Sequence, residues 1–294
     1  MNIGQATILL KTRSVLGEGP VWDWKKQRLW WVDIEGNLLH ELDPITKKHR
    51  YWSFDEMIGA AVPAENGQLL LALESGLATF SPLTGELMAL GVLENSDREM
   101  RFNDGKVGPE GNFWIGSMHK KLAPKTGNLY CVDTNWKVSL KIPETTISNG
   151  MVWTTDQCSF YYIDTAAHEV WKFDYDSTTS EIKNKRVAFS VPEHLGGADG
   201  MTIDAEDMLW IAHWGGQCIR RWNPISGEVL EEVAVDAPHV TSCCFGGKDF
   251  DSLYITTARS GLSDAQLKEY PQSGGLFVYK PKVVGRPITY FKNG

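Results

Sequence analysis

Arg28-Leu-Trp-Trp-Val-Asp-Ile34 decides the fold, because the pattern returns five more times along the chain. Its counterparts are Gln68-Leu-Leu-Leu-Ala-Leu-Glu74, Asn112-Phe-Trp-Ile-Gly-Ser-Met118, Ser159-Phe-Tyr-Tyr-Ile-Asp-Thr165, Met208-Leu-Trp-Ile-Ala-His-Trp214 and Ser252-Leu-Tyr-Ile-Thr-Thr-Ala258. Each is a dense apolar and aromatic run of strand length. Their second residues fall at 29, 69, 113, 160, 209 and 253, steps of roughly 40 to 50 that match the repeat range of propeller blades.

The flanks repeat as well. Turn chemistry precedes each run, as in Glu65-Asn-Gly67 and Pro109-Glu-Gly111, and marks a hairpin connection. Before each turn lies a shorter apolar piece: Gly19–Trp22, Gly59–Val62, Gly105–Val107, Gly150–Trp153, Gly200–Ile203 and Ser242–Phe245. A third strand follows the run, for example Asn37–Leu42 or Cys218–Trp222, and four repeats continue through a turn into a polar fourth strand. No amphipathic helix of useful length interrupts the pattern. The expectation is an all-β, six-bladed β-propeller with four-stranded antiparallel blades, one domain over residues 1–294. The segment Ala6–Leu10 would close the last blade. A five- or seven-bladed ring with an irregular segment is the competing count.

Composition narrows the function. With 29 basic against 37 acidic residues, a net charge of -8 and no extended Lys/Arg cluster, nucleic acid and anionic membrane are not expected partners. No run approaches the roughly 20 apolar residues needed to span a bilayer. The N-terminal stretch lacks the basic region of a secretory signal. Five cysteines with no Cys-x-x-Cys spacing fit a reduced, cytoplasmic protein. Serine-hydrolase elbows, zincin helices, phosphate-binding loops and dinucleotide fingerprints are all missing from the sequence.

The first strands of a propeller line its central channel, so their starts converge at one mouth. The residue before the shared glycine is Glu18, Ile58, Asp104, Asn149 or Asp199, with Thr241 in the last repeat. Carboxylate and amide oxygens converging inside an apolar ring call for a counter-charge. A bound divalent cation would supply it, with Ca²⁺, Mg²⁺ or Mn²⁺ favoured by hard oxygen ligands and Zn²⁺ also accepting them. Turn hydrogen bonds made by Glu18, Asn149 and Asp199 at strand entries are the alternative, and spacing alone does not choose between them.

The segments Leu16-Gly-Glu-Gly-Pro-Val-Trp22, Arg101-Phe-Asn-Asp-Gly-Lys-Val107, Trp114-Ile-Gly-Ser-Met118, Ser148-Asn-Gly-Met-Val-Trp153, Ala198-Asp-Gly-Met201 and Thr256-Thr-Ala-Arg-Ser-Gly-Leu262 together resemble the SMP-30/gluconolactonase/LRE family. The resemblance extends over nearly the whole chain and leans, at its tail, toward bacterial sugar lactonases. It implies one divalent metal ion (Ca²⁺, Mg²⁺, Mn²⁺ or Zn²⁺) held by Glu18, Asn149 and Asp199. It further implies Asp199 as general base, Arg101 and Asn103 as substrate contacts, and a small-molecule sugar lactone as substrate. A non-catalytic, calcium-binding regulatory propeller is the other role that it allows. Animal members carry an acidic residue where this chain has Lys121, which points to a substrate contact favouring an anionic lactone, or to a solvated surface lysine.

Overall fold

A computed structural model describes residues 2–292; residues 1, 293 and 294 of the expected 1–294 unit lie outside the described residues. Two short strands open the chain, β1 (Asn2–Gln5) and β2 (Thr7–Leu10). A four-stranded antiparallel meander follows, β3 (Gly17–Asp23), β4 (Arg28–Asp33), β5 (Leu38–Asp43) and β6 (Lys48–Ser53). The meander recurs as β7 (Ile58–Pro63), β8 (Leu69–Leu73), β9 (Gly76–Phe80) and β10 (Leu87–Ala89). It recurs again as β11 (Met100–Val107), β12 (Phe113–His119), β13 (Gly127–Val132) and β14 (Val138–Thr145), then as β15 (Ser148–Trp153), β16 (Ser159–Asp164), β17 (Glu169–Asp176) and β18 (Glu181–Ser190).

The rest of the chain builds a nine-stranded sheet. One part is β19 (Gly197–Ile203), β20 (Leu209–Trp214), β21 (Cys218–Trp222) and β22 (Val229–Ala234), with β1 added parallel to β22. The other is β23 (His239–Gly246), β24 (Ser252–Ala258) and β25 (Leu276–Tyr279), completed by β2. The two parts pair through Trp214 and His239 alone, whose rings stack with centroids 4.0 Å apart.

The six repeated runs thus become β4, β8, β12, β16, β20 and β24, each second in its meander. Three features escape the sequence pattern. The repeat that starts at β15 also has a fourth strand, entered through a turn in which Thr179 N–H donates to the Asp176 carbonyl. The parallel addition of β1 carries no periodic signature of its own. A six-residue helix, α1 (Asp264–Glu269), sits between β24 and β25 and starts in a capping box between Ser263 and Gln266.

The inner strands β3, β7, β11, β15, β19 and β23 pack each against the next, and β23 returns to β3. Apolar clusters fill the gaps around this ring. Trp30, Val32, Leu69 and Leu71 lie between β4 and β8, and Trp22, Trp31 and Tyr254 close the circle between the last and first repeats. Trp30, Trp114 and Trp210 are wholly buried in such gaps, where aromatic side chains of this size dominate the packing through the area they bury. Aromatic runs therefore recur because every gap needs large, flat side chains.

Residues 284–292 strap one mouth of the ring. Ala205 N–H donates to the Val284 carbonyl, Gly285 N–H to Phe250, Phe291 N–H to Pro63 and Lys292 N–H to Gly111. Arg286 donates to the Trp153 carbonyl at 3.0 Å, the Trp24 indole to the Ile288 carbonyl at 3.1 Å, and the Tyr290 hydroxyl to Asp23 at 2.6 Å.

Candidate functional site

Every inner strand breaks register against its partner at the same place. The shifts fall between Glu18 and Val21, Ile58 and Ala60, Phe102 and Gly105, Ser148 and Met151, Ala198 and Met201, and Val240 and Ser242. A bulge re-aims the side chain that it carries. Here the bulges hold Glu18, Asn103 with Asp104, Asn149 and Asp199, turning them toward the common axis. The glycines after Asp104, Asn149 and Asp199 are needed because the ring is tight, and Gly19 after Glu18 because its φ is +53°. A Cβ at Gly150 would lie 2.6 Å from Met201 Cβ, and one at Gly200 2.1 Å from Ser242 Oγ.

The resulting cluster is buried: Glu18 is 6% exposed, Asn103 5%, Asn149 3%, Asp199 5% and Arg101 9%. Asn103 Nδ2 donates to Asn149 Oδ1 at 2.9 Å and to the Ser148 carbonyl at 2.8 Å. Arg101 Nη1 donates to Asn103 Oδ1 at 2.6 Å and to the Phe102 carbonyl at 3.0 Å. Asn149 Nδ2 donates to Thr165 Oγ1 at 2.7 Å, and that hydroxyl donates to the Ala198 carbonyl at 2.7 Å. A chain of bonds thus runs from Arg101 through Asn103, Asn149 and Thr165 to the residue before Asp199. Asn149 Oδ1 accepts one bond and keeps a second lone pair.

Among the described residues no cation forms an ion pair with Glu18 or Asp199, although the Arg101 charge acts on both. Burial, then the charge of Asp104, pushes the Glu18 carboxyl up to about 8. Burial and the charges of Glu18 and Asp104 hold Asp199 well above the usual carboxylate range. Arg101 is held below its usual value by burial, against the pull of Glu18, Glu35, Asp199 and Glu74. Glu18 Oε2 accepts from the Gly19 N–H at 2.9 Å, but backbone donors do not neutralise like-charged oxygens crowded together, which need a positive charge among them. Two carboxylates and a free amide lone pair form a hard-oxygen donor set that fits a divalent cation. Among the described residues no three His, Cys, Asp or Glu side chains are grouped for a metal. The trio contains only two carboxylates, its third donor being an amide.

Lys121 stands apart. Its side chain is 77% exposed and pairs with Glu99 at 2.7 Å on the loop after β12. Sequence reasoning names Glu18, Asn149, Asp199, Arg101 and Asn103 but passes over Ser148 and Thr165. Thr165 lies 16 residues from Asn149 and meets it only because β15 and β16 form a hairpin. No spacing rule reports such a contact, although Thr165 ends one of the six repeated runs.

Residues 16–259 match the family model described as "SMP-30/Gluconolactonase/LRE-like region". The Bacillus subtilis (strain 168) protein named "Putative sugar lactone lactonase YvrE" is 32% identical over 286 residues, 97% of this chain and 98% of that one. Regucalcin of Xenopus laevis is 36% identical over 270 residues, 89% of each chain. The crystal structure of a calcium-binding protein, regucalcin, from Agrobacterium tumefaciens strain C58 superposes with a TM-score of 0.94 at 28% identity, over 99% of both chains. The chain belongs to the SMP-30/gluconolactonase/LRE-like family.

Proposed function

We propose that this protein is a divalent-metal-dependent hydrolase that opens a sugar lactone to its aldonic acid, on a single six-bladed propeller that works in the cytoplasm without nucleic-acid or membrane partners. The observation that carries this reading is the meeting of two uncompensated carboxylates, Glu18 and Asp199, with the Asn149 amide and the Arg101–Asn103 donor pair. Glu18, Asn149 and Asp199 would hold the ion, whether Ca²⁺, Mg²⁺, Mn²⁺ or Zn²⁺. When bound, it supplies Lewis acidity for the carbonyl and lowers the pKa of water.

The chain's own groups do the rest. Asp199, at the ring axis, accepts the proton of the attacking water. Arg101, through the N–H groups that it does not give to Asn103 and Phe102, orients ring hydroxyls and favours the negative charge growing on the carbonyl oxygen, while Asn103, whose two N–H groups hold Asn149 and the Ser148 carbonyl, meets a ring hydroxyl through Oδ1. The hydrogen bonds through Thr165 fix the Asn149 amide before substrate arrives. Lys121, already paired with Glu99, acts on anionic lactones through its charge.

A lactonase name for the Bacillus subtilis relative supports the reaction class. A second reading, non-catalytic calcium binding, rests on the likeness to the Agrobacterium tumefaciens regucalcin, a calcium-binding protein. Acid release from aldonolactones that depends on added metal separates the two: turnover supports the hydrolase, and metal binding with no turnover supports the regulatory propeller.

A further inference from the structure

Beneath the candidate site, on the strapped side of the ring, lies a chamber of about 370 Å³ lined by Val62, Asp104, Lys106, Met151 and Ile203 and covered by residues 286–289. Asp104 shares the bulge with Asn103 and is 4% exposed. Among the described residues neither of its carboxylate oxygens has a partner in good hydrogen-bond geometry, the adjacent Gly105 N–H being the donor that acts on it. A buried carboxylate left in that state is costly unless a charge nearby compensates it. Lys106, two residues along the same strand, is placed on the same pleat face. Its ammonium donates to the Met201 carbonyl of β19 rather than to Asp104.

Both charges act on the carboxylates above. Asp104 repels Glu18 and Asp199, while Lys106 favours the ionised forms of Glu18 and Asp104. The floor of the site is therefore an opposed pair, one anion without a partner and one cation tied to a backbone carbonyl. Buried charges act on each other over several ångströms because salt does not screen them well.

We propose that Asp104 and Lys106 set the cation affinity of the Glu18–Asn149–Asp199 site from below without touching the ion. The inference rests on the metal reading above. Asp104 adds a third negative charge beneath the ion and strengthens its binding; Lys106 opposes it and keeps the affinity in check. They are positioning residues acting through charge, and substitutions behind the ligands of a metal typically change affinity by about 10- to 100-fold.

Calorimetric titration of Mn²⁺, and separately Ca²⁺, into metal-stripped full-length chain tests this, with thermal melting to verify folding. Asp104→Asn preserves shape and removes the charge, so its dissociation constant is expected to rise about 10- to 100-fold. Lys106→Met is expected to lower it by a comparable factor, and the double variant to return near wild type. Should Lys106→Met fail to fold, Lys106→Gln removes the same charge and retains a donor for the Met201 carbonyl. Packing damage would weaken both single variants, so opposite shifts identify the charge. An unchanged constant in Asp104→Asn, or shifts of one sign in both variants, overturns the inference while leaving the metal site standing. A wild-type chain that takes up neither ion, nor Mg²⁺ or Zn²⁺ titrated in the same way, overturns the metal reading itself, and this inference with it.

Discussion

Asn103 Nδ2 donates to Asn149 Oδ1 at 2.9 Å, joining two side chains 46 residues apart on adjacent inner strands. The bond couples a group assigned to substrate with one assigned to the ion. It also separates their roles experimentally. Asp199→Ala removes an anionic ligand and the proton acceptor together, so metal binding and turnover are both expected to disappear, with kcat/KM down at least about 10³-fold. Asn103→Ala should retain metal within about tenfold while losing most of its activity. Metal content by elemental analysis beside steady-state kinetics measures both, and full turnover in Asp199→Ala would remove Asp199 from the mechanism.

Metal affinity should depend on pH. In the ion-free chain burial and Asp104 raise Glu18 from 4.5 to about 8, so a proton competes with the ion for this carboxylate. Below about pH 8 the apparent association constant is expected to fall by about tenfold per unit for each proton displaced. The same shift acts on stability with the opposite sense. A raised folded-state value means that the folded chain holds its proton more tightly, so this contribution is complete below about 4.5 and is lost as pH rises through about 8. Melting temperatures of metal-stripped protein across that window should decline with pH, and added metal should reverse the decline. A flat affinity profile between pH 6 and 8 would contradict this account of Glu18.

Gly150→Ala tests the crowding of the inner ring. The new Cβ would meet Met201 Cβ at 2.6 Å and the Asp199 carbonyl at 2.8 Å, and a packed backbone cannot yield without shifting β15 from β19. A loss of about 1–3 kcal/mol is expected in urea unfolding, together with weaker metal binding. Unchanged stability would mean that the bulges are looser than the structure places them.

Lys121 bears on selectivity alone. Lys121→Glu breaks the exposed ion pair with Glu99, and solvent-screened pairs contribute little to stability, so folding should be unaffected. The expected change is a lower kcat/KM for uronic-type lactones relative to neutral ones. Identical rankings in the two proteins would make Lys121 a solvated surface residue.

The repeats were legible because each strand position has one physical demand repeated around the ring. The second strands bury both faces between neighbouring sheets and so read as unbroken apolar and aromatic runs such as Leu29–Val32 and Leu209–Ala212. The trio Glu18, Asn149 and Asp199 stood out because each bulge places a polar residue immediately before a glycine, required by a positive φ at Gly19 and by crowding at Gly150 and Gly200. Asn103 broke that rule, lying one residue earlier than Asp104, and entered through family resemblance. Thr165, β1 and the strap of residues 284–292 were not legible, since each acts through contacts distant in sequence that repeat nowhere else. Asp104 stood in the alignment of strand starts, but only the structure shows that its carboxylate is buried with no hydrogen-bond partner among the described residues.

The most direct test is a pH-indicator assay of acid release from a panel of aldonolactones, using metal-stripped protein with Ca²⁺, Mg²⁺, Mn²⁺ or Zn²⁺ restored one at a time. The account predicts turnover above spontaneous hydrolysis that appears only with metal and vanishes in Asp199→Ala. Metal uptake without turnover of any lactone would contradict the hydrolase reading and leave a cation-binding propeller in its place.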